Sequence, residues 1–577
     1  MIGARRHRVR SAPAAGPPAG RPSLALSTVV NSEDSEYSKP LGDAAATRRP
    51  RWPRRWMSDR SLSRREFIGA CVAGSTGLAL GADRSSVAAA SPTGGQPRPG
   101  GTLRVGRLVD LQGPAVSLMA NPSYILSAQI YNALIHYDEK YRPQPELAES
   151  WDTSKDGRRV TLHLRRDVQF HTGREFTSDD VRYNTLRVRD PKLGMSQLKV
   201  MSEWISDIQT PDKNTVVYTL PQPRAAILDL FNYLFIVDRE TAEGPAGRER
   251  GVGTGPFVFS EWLPGDHVRF TKNPRYWMSG RPYLDEVRVN VIKDPQALGI
   301  QLEAGALDLA ELLPEDQTAR YARDAKYRVV LNQLSGQFYY IGVNVTKPPL
   351  DNKNVRQALN YAVDRPRFAR SILDGLGQAT DIPWPPQSPA YDGTKIATYV
   401  FDLGKAKALL QDAGVTNLQL DLITAIAFPA LAKQAEILQS DLRKIGVTLN
   451  VETPEPAVAN QKVDSMAYQL QSSTFAFADL EPSSLLIMAA PFNYKQNASG
   501  FTSAQYTRLV DAAIAEVDPQ KRKALDARLT DLLLDESFTI PLARRLGSLV
   551  SRTRVHGAAF HAATTQVIRL EDAWLEA

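Results

Sequence analysis

The sequence predicts an α/β fold arranged as two lobes, and two observations favour this fold. The first half contains short segments in which apolar and polar residues alternate, as they do in half-buried strands. In the second half, helical apolar stripes alternate with short strands, an order that favours parallel strands joined by right-handed crossovers. A strand-rich half followed by an α/β half indicates two lobes. No segment beyond residue 91 has the length and apolarity of a transmembrane span.

The individual elements are predicted from the period of the apolar residues, which is two in strands and three to four in helices. Strands are predicted where the period is two, at residues 100–106, 159–164, 214–220, 287–291, 418–422 and 447–451. Helices are predicted where apolar residues recur every three or four positions, at 355–363 behind the caps Asp351 and Asn352, at 406–413 before Gly414, and at 431–445 before Gly446.

The charge of the chain is unevenly distributed. The 577 residues include 70 Lys and Arg, 63 Asp and Glu, and one cysteine, for a formal charge of +7. Residues 1–90 hold 15 basic and 7 acidic residues, which leaves 55 and 56 for the remainder, a net −1. The basic balance therefore gives no support to a nucleic-acid partner. A single cysteine excludes a disulfide framework and a thiolate-ligated zinc or iron–sulfur site.

The first 90 residues are interpreted as an export segment. Residues 1–56 are basic and lack an apolar period, which predicts a disordered leader, untranslated if translation starts at Met57. The pair Arg64 and Arg65, followed by Phe67, a weakly apolar run and an A-x-A-like cleavage site that ends at Ala90, is typical of a twin-arginine signal peptide at 57–90. The alternatives are a chance arginine pair before an Ala-rich helix, and a lipoprotein signal at Cys71.

The common catalytic signatures are absent from the sequence. There is no H-E-x-x-H, no G-x-S-x-G and no phosphate loop. The glycine-rich segment 251–256 is interpreted as a turn, because its third glycine is missing and Pro256 stands where a helix would begin. His163 and His171 lack a third metal ligand nearby. Asp179 and Asp180 are expected at a helix N-terminus, and a carboxylate-dependent secreted hydrolase remains an alternative.

Several segments, in order along the chain, resemble one known family. They are residues 131–134 and 145–181, residues 253–257 with 272–277, residues 354–365, and residues 402–414. Together they resemble the family 5 bacterial extracellular solute-binding proteins, the peptide- and nickel-binding components of ABC importers. The resemblance spans nearly all of residues 100–545.

The resemblance implies a periplasmic-binding-protein-like fold whose two lobes close over a ligand. It places the first lobe at 100–336 with an inserted strand-rich subdomain at about 138–250, the second lobe at 337–536, and a return to the first lobe at 537–577. The chain would cross between the lobes at 339–344. The implied function is capture of a peptide or amine-bearing solute for a membrane permease, by a cofactor-free monomer in the periplasm or cell envelope. A nickel or metal-chelate ligand is the alternative.

One segment is expected to line the cleft between the lobes. Residues 475–479 resemble the segment in which peptide binders of this family place an aspartate against the ligand's α-amino group. This assigns Asp479 to ligand binding with Phe475 and Phe477 beside it, and Asn121 and Tyr124 match a contributing region of the first lobe. The alternative for Asp479 is to cap a helix that begins near Pro482. The aromatic residues Trp151, Phe170, Phe257, Tyr276 and Trp277 are predicted to be core residues.

The paired arginines generate a direct test of export. Replacing both Arg64 and Arg65 by lysine is expected to abolish export, because the twin-arginine pathway reads this pair. Immunoblots of envelope and cytoplasmic fractions measure the result, and Arg60→Lys is the matched control. Unchanged export of the double variant would contradict the assignment.

Overall fold

The computed structural model describes residues 96–111, 126–193, 196–244, 251–425, 429–476, 478, 481–561 and 567–576. The predicted leader and signal, with Arg64, Arg65, Phe67, Cys71 and Ala90, lie outside the described residues. So do four of the predicted ligand-binding residues: Asn121, Tyr124, Phe477 and Asp479. Within the described ranges, every helix is too short or too polar to cross a bilayer.

Helices and strands are numbered along the chain. The helices are α1 (Ser127–Ile130), α2 (Ser178–Arg187), α3 (Ser196–Ser202), α4 (Ile227–Tyr233), α5 (Arg239–Glu243), α6 (Pro295–Glu303), α7 (Glu315–Tyr321), α8 (Lys353–Tyr361), α9 (Arg365–Leu373), α10 (Leu403–Asp412), α11 (Pro429–Arg443), α12 (Pro456–Asp464), α13 (Pro482–Met488), α14 (Ala504–Ala515) and α15 (Pro519–Glu536). The strands are β1 (Thr102–Arg107), β2 (Ile135–Tyr137), β3 (Pro143–Pro145), β4 (Ala148–Thr153), β5 (Arg159–Leu164), β6 (Asp207–Asp212), β7 (Thr215–Thr219), β8 (Phe257–Leu263), β9 (His267–Lys272), β10 (Glu286–Val291), β11 (Leu309–Glu311), β12 (Tyr327–Leu331), β13 (Gln337–Val343), β14 (Gly377–Ala379), β15 (Gln419–Ile423), β16 (Thr448–Glu452), β17 (Leu470–Phe475), β18 (Thr539–Arg545), β19 (Ser548–Arg552), β20 (Val555–His556), β21 (Ala559–Phe560), β22 (Ile568–Arg569) and β23 (Trp574–Leu575).

The first lobe is built on a seven-stranded sheet in the order β12-β19-β11-β1-β10-β9-β8. Strand β1 runs parallel to both β10 and β11, and the outer pairs are antiparallel. Leu103 and Val105 of β1 enter the main core on one face, while α6 covers the other face beside Gly106. A separate four-stranded sheet, β4-β5-β7-β6, falls within the predicted strand-rich insertion.

The second lobe is built on a six-stranded sheet in the order β14-β18-β13-β17-β15-β16. Both faces of β13 are buried, because its side chains alternate between two cores. Tyr339, Ile341 and Val343 pack with residues of α8 to α11, whereas Phe338 and Tyr340 pack with residues of α13 to α15. Strands β15 and β16 form the parallel pair that the strand–helix–strand order predicted.

The predicted helix ends are confirmed at specific residues. The side chain of Asn352 caps α8 by accepting a hydrogen bond from the backbone N–H of Asn354. Gly414 and Gly446 follow α10 and α11 with φ angles of +69° and +80°, in the left-handed region that ends helices.

The return to the first lobe differs from the predicted position at residue 537. Strand β18 pairs with β13 in the second sheet, and only β19 pairs with β11 and β12 in the first. The chain therefore crosses between the lobes at 332–336 and again at 546–547, which we call the hinge segments. The predicted crossing at 339–344 is wrong, because residues 339–343 belong to β13 of the second sheet. The apolar pattern of residues 539–545 fits a strand of either sheet, so sequence alone could not place the second crossing.

The glycine-rich segment 251–256 is a bend that leads into strand β8, which confirms its interpretation as a turn. Its glycines are required by close packing against α1. A Cβ atom at Gly253 would lie 2.3 Å from the carbonyl oxygen of Ile130, and one at Gly255 would lie 2.4 Å from the carbonyl carbon of Ile130.

Gly255→Ala is therefore expected to destabilise the protein by about 1–3 kcal/mol, because the backbone of Ile130 must move to admit a methyl group. Urea unfolding followed by fluorescence measures the free energy of unfolding. Gly393→Ala is the control, since a Cβ atom there would be no closer than 3.5 Å to the ring of Tyr391. Equal effects of the two substitutions would contradict the packing explanation.

Candidate ligand-binding site between the lobes

Strand β17 ends at the first residue of the predicted ligand-binding segment 475–479. Its last residue, Phe475, is 4% exposed, and its ring stacks on Phe338 with centroids 5.1 Å apart and planes at 9°. The edges of Tyr340 and Phe492 pack against the same ring at 5.4 and 4.9 Å. The prediction that the Phe475 ring contacts ligand is therefore corrected. Its ring is enclosed by other aromatic rings and fixes the point at which the backbone leaves the sheet.

Helix α13 follows the segment and has its own cap. The Glu481 carboxylate accepts hydrogen bonds from the backbone N–H of Ser483, at 2.9 Å, and from the Ser483 hydroxyl. Glu481 is thus the N-cap residue of α13. The alternative role of Asp479 as the cap of this helix is wrong.

A carboxylate of the first lobe reaches across to α13. Asp229, a fully buried residue of α4, accepts a hydrogen bond from the Tyr137 hydroxyl at 2.8 Å. It also accepts from the backbone N–H of Glu481 at 3.1 Å and from the Ser484 hydroxyl at 2.6 Å. Burial, together with the nearby Glu481 carboxylate, raises the pKa of Asp229 to about 7 despite these donors.

Two further carboxylates lie beside this contact. Burial raises the pKa of Glu481, and Nε of Arg522 lies 3.4 Å from its Oε1. Burial and the charge of Glu481 raise the pKa of Asp526 on α15 to about 7. Arg522 lies in the basic run Lys521-Arg522-Lys523, whose composition is typical of a solvated helix face. Its two neighbours are exposed, whereas Arg522 turns inward to Glu481.

Other contacts join the lobes near the hinge segments and along the insertion. Nε of Arg545, at the end of β18, lies 2.5 Å from Oε1 of Glu315 on α7. The backbone N–H of Ala225 donates to the carbonyl oxygen of Ile514 on α14 at 3.1 Å. The lobes therefore touch at several points in this conformation.

Arg544 is a functional candidate that sequence reasoning missed. The residue is 6% exposed, its Nη1 donates to the carbonyl oxygen of Gln333 in the first hinge segment at 2.7 Å, and its buried Nε has no hydrogen-bond partner. No ion pair joins it to a carboxylate within the described part of the chain, and burial lowers its pKa to about 10. The sequence signal that could have found it is the pair Arg544-Arg545 at the end of an otherwise apolar strand.

The strand register places Arg544 near the predicted ligand-binding segment. Arg544 of β18 is paired with Phe338 of β13, and Phe338 is paired with Phe475 of β17. Directly paired residues of antiparallel strands point to the same face of a sheet. The three side chains therefore form one row that ends at Phe475, the first residue of the segment 475–479.

The groups behind the hydrolase and direct-metal alternatives have structural roles. Asp180 forms the capping box of α2 with Thr177, and Nη2 of Arg174 lies 2.5 Å from its Oδ1. His171 is buried with Nε2 3.1 Å from the Gly255 carbonyl oxygen, and burial lowers its pKa to about 4. His163 pairs with Asp152 at 3.0 Å. The described ranges contain no cluster of three His, Cys, Asp or Glu side chains suited to a metal ion.

The predicted core aromatics are confirmed as structural residues. Phe170 and Phe257 are fully buried, and Tyr276 is 8% exposed. Trp151 and Trp277 are partly buried and pack against the same core.

Comparison with known proteins defines the family. The family model described as "Bacterial extracellular solute-binding proteins, family 5 Middle" matches residues 142–496, more than half of the chain. The chain belongs to this family of solute-binding components of ABC importers.

The names of its relatives mention different ligands. The chain is 29% identical over 479 residues to the heme-binding protein A of Haemophilus influenzae, covering 77% of this chain and 87% of that protein. It is 27% identical over 487 residues to the nickel-binding periplasmic protein of Escherichia coli, covering 79% and 91%. Among solved structures, the periplasmic binding protein DppA of Helicobacter pylori, in complex with the peptide STSA, superposes with a TM-score of 0.71 at 26% identity, covering 83% of this chain and 99% of that one.

Proposed function

We propose that the protein captures a peptide or another amine-bearing solute between its lobes and delivers it to an ABC permease, without catalysing a reaction. The observation that carries the proposal is that the described residues on either side of Asp479 have structural roles of their own. Phe475 is anchored in an aromatic core before it, and Glu481 caps α13 after it. Glu481 supplies the cap of that helix, and we propose that the carboxylate of Asp479 contacts the ligand.

The chemistry of a closing cleft supports an acidic anchor. Closure removes water from the ligand, so an ammonium group held there needs a charged partner. A carboxylate supplies this partner through a short, charge-assisted hydrogen bond. Asp479 is the residue proposed for this role.

Arg544 adds a second anchor of opposite charge. A buried guanidinium without a carboxylate partner is costly, and a ligand carboxylate bound to its free Nε–H would remove that cost. An acidic and a basic anchor together suit a zwitterion such as a peptide. Phe477, Tyr124 and Asn121 are proposed to complete the site.

A metal chelate is the second candidate ligand, and Arg544 is also the observation that favours it. The described residues offer no cluster to ligate a metal directly, so a metal would enter as a chelate whose carboxylates pair with Arg544. One relative named for nickel binding supports this alternative.

We further propose that the protein acts as a monomer in the periplasm or cell envelope, after export by the twin-arginine signal at 57–90. The names of the relatives support the periplasm, and the arginine pair supports the pathway.

Isothermal titration calorimetry with dialanine, trialanine and tetraalanine tests the anchors. Asp479→Asn and Arg544→Gln are each expected to weaken binding about 10- to 100-fold, the equivalent of about 1.5–3 kcal/mol for a charged hydrogen bond. N-acetylated peptides should bind the unaltered protein as weakly as free peptides bind Asp479→Asn. C-terminal amides should show the same relation to Arg544→Gln.

The matched control is Asp179→Asn, at the exposed start of α2. It should leave the affinity for every peptide unchanged. If Asp479→Asn binds free peptides as tightly as the unaltered protein does, the amine anchor is disproved. If a ferric or nickel chelate binds and all peptides fail, the second candidate replaces the first.

A further inference from the structure

The two oxygens of the buried Asp229 carboxylate have different partners. Oδ1 accepts a hydrogen bond from Tyr137 on β2, in its own lobe, at 2.8 Å. Oδ2 accepts both donors of the second lobe, the backbone N–H of Glu481 at 3.1 Å and the hydroxyl of Ser484 at 2.6 Å. One oxygen therefore orients the carboxylate within the first lobe, and the other holds the start of α13.

The position of this contact ties it to ligand binding. Glu481 follows Asp479 by two residues, and Met488 at the other end of α13 packs against the cores of both lobes. Separation of the lobes would remove α13 from Asp229 and admit water to a carboxylate that is now fully buried.

We propose that Asp229 is a positioning residue and a proton-sensitive latch, given that the solute binds between the lobes as proposed above. It holds the start of α13 against the first lobe, and protonation strengthens this closed arrangement.

The charged groups around Asp229 favour proton uptake on closure. Glu481 faces it from α13, and Asp526 lies behind Glu481 on α15. Arg522 pairs with Glu481 at 3.4 Å and balances one of these three carboxylates. Helix α3 also packs against α4, but its Lys199 pairs with the neighbouring Glu203 at 2.7 Å.

The Asp229 carboxylate can take up a proton without losing its hydrogen bonds to the second lobe. A proton on Oδ1 can be donated to the Tyr137 hydroxyl oxygen, because that hydroxyl can turn from donor to acceptor. Oδ2 then still accepts from Glu481 and Ser484. Neutral Asp229 no longer repels the Glu481 carboxylate.

The direction of the pH effect follows from linkage. In the closed arrangement burial raises the pKa of Asp229 to about 7, whereas an exposed aspartate has a pKa of about 4. The closed state therefore binds the proton more tightly, and closure is favoured at low pH. This advantage is lost progressively as the pH rises from about 4 to about 7.

The first measurement is the dissociation constant of trialanine at pH 5 and at pH 7, a range in which its α-ammonium stays largely charged. For the unaltered full-length chain we expect weaker binding at pH 7, on the order of tenfold and below the hundredfold that one linked proton allows over two pH units. Asp229→Asn should bind equally at both pH values, near the affinity of the unaltered chain at pH 5. Asp179→Asn should keep the full pH response.

The second measurement needs no ligand. The chain has one cysteine, so Cys71→Ser permits paired spin labels at Lys155→Cys in the first lobe and Lys407→Cys in the second, both exposed positions. The fraction of short interlobe distances should fall from pH 5 to pH 7, and Asp229→Asn should remove this change. Ser484→Ala, which keeps the carboxylate, should lower the closed fraction at each pH but retain the response.

Retention of the full pH response by Asp229→Asn would overturn the latch, as would the absence of any response in the unaltered chain by both measurements. If Asp229→Asn does not fold, the unaltered chain and Ser484→Ala decide the question. If trialanine does not bind but the closed fraction falls with pH through Asp229, the latch stands and the proposed ligand class fails.

Discussion

The structure depends on two short crossings that lie side by side between the sheets. In the first sheet β12 pairs with β19, so that Leu331 faces Ser548. In the second sheet β13 pairs with β18, so that Gln337 faces Arg545. The five residues 332–336 and the two residues 546–547 therefore connect one antiparallel pair to another. We expect the lobes to move by bending about these adjacent crossings, which is the motion that closes a cleft.

A few polar contacts join the two lobes, both near these crossings and farther along the lobes. Arg545 pairs with Glu315, and Asp229 receives α13. In these contacts, polar groups of one lobe are satisfied by partners from the other lobe when the lobes meet. Arg544 is the exception, because its buried Nε still lacks a partner. A ligand that supplies this partner would bind the closed state better than the open one, which is how a ligand shifts such an equilibrium.

Local patterns predicted much of the fold, because burial on one face imposes a period on the sequence. The alternation at 159–164 and the stripe behind Asn352 are both confirmed as elements. The second crossing was misplaced because strand β18 carries no sign of which sheet it joins. Strand β18 joins the second sheet by pairing with β13, which is distant in the sequence, and a local pattern does not encode such pairing.

The site was harder to predict than the fold for the same reason. The segment 475–479 was found by resemblance, but the enclosed ring of Phe475 follows from its register against Phe338 across two strands. Asp229 looks like any polar residue of a short helix, and its role depends on α13, some 250 residues later in the chain. Arg522 sits in a basic run typical of a solvated face, and only the nearby Glu481 turns it inward.

The central claim is that a solute binds between the lobes and closes them. Small-angle X-ray scattering of the protein with and without a saturating peptide or chelate tests it most directly. We expect the radius of gyration and the maximum dimension to decrease when the ligand is bound, and to return when it is removed by dialysis. Tight binding with an unchanged scattering profile would contradict closure of the lobes about the hinge segments.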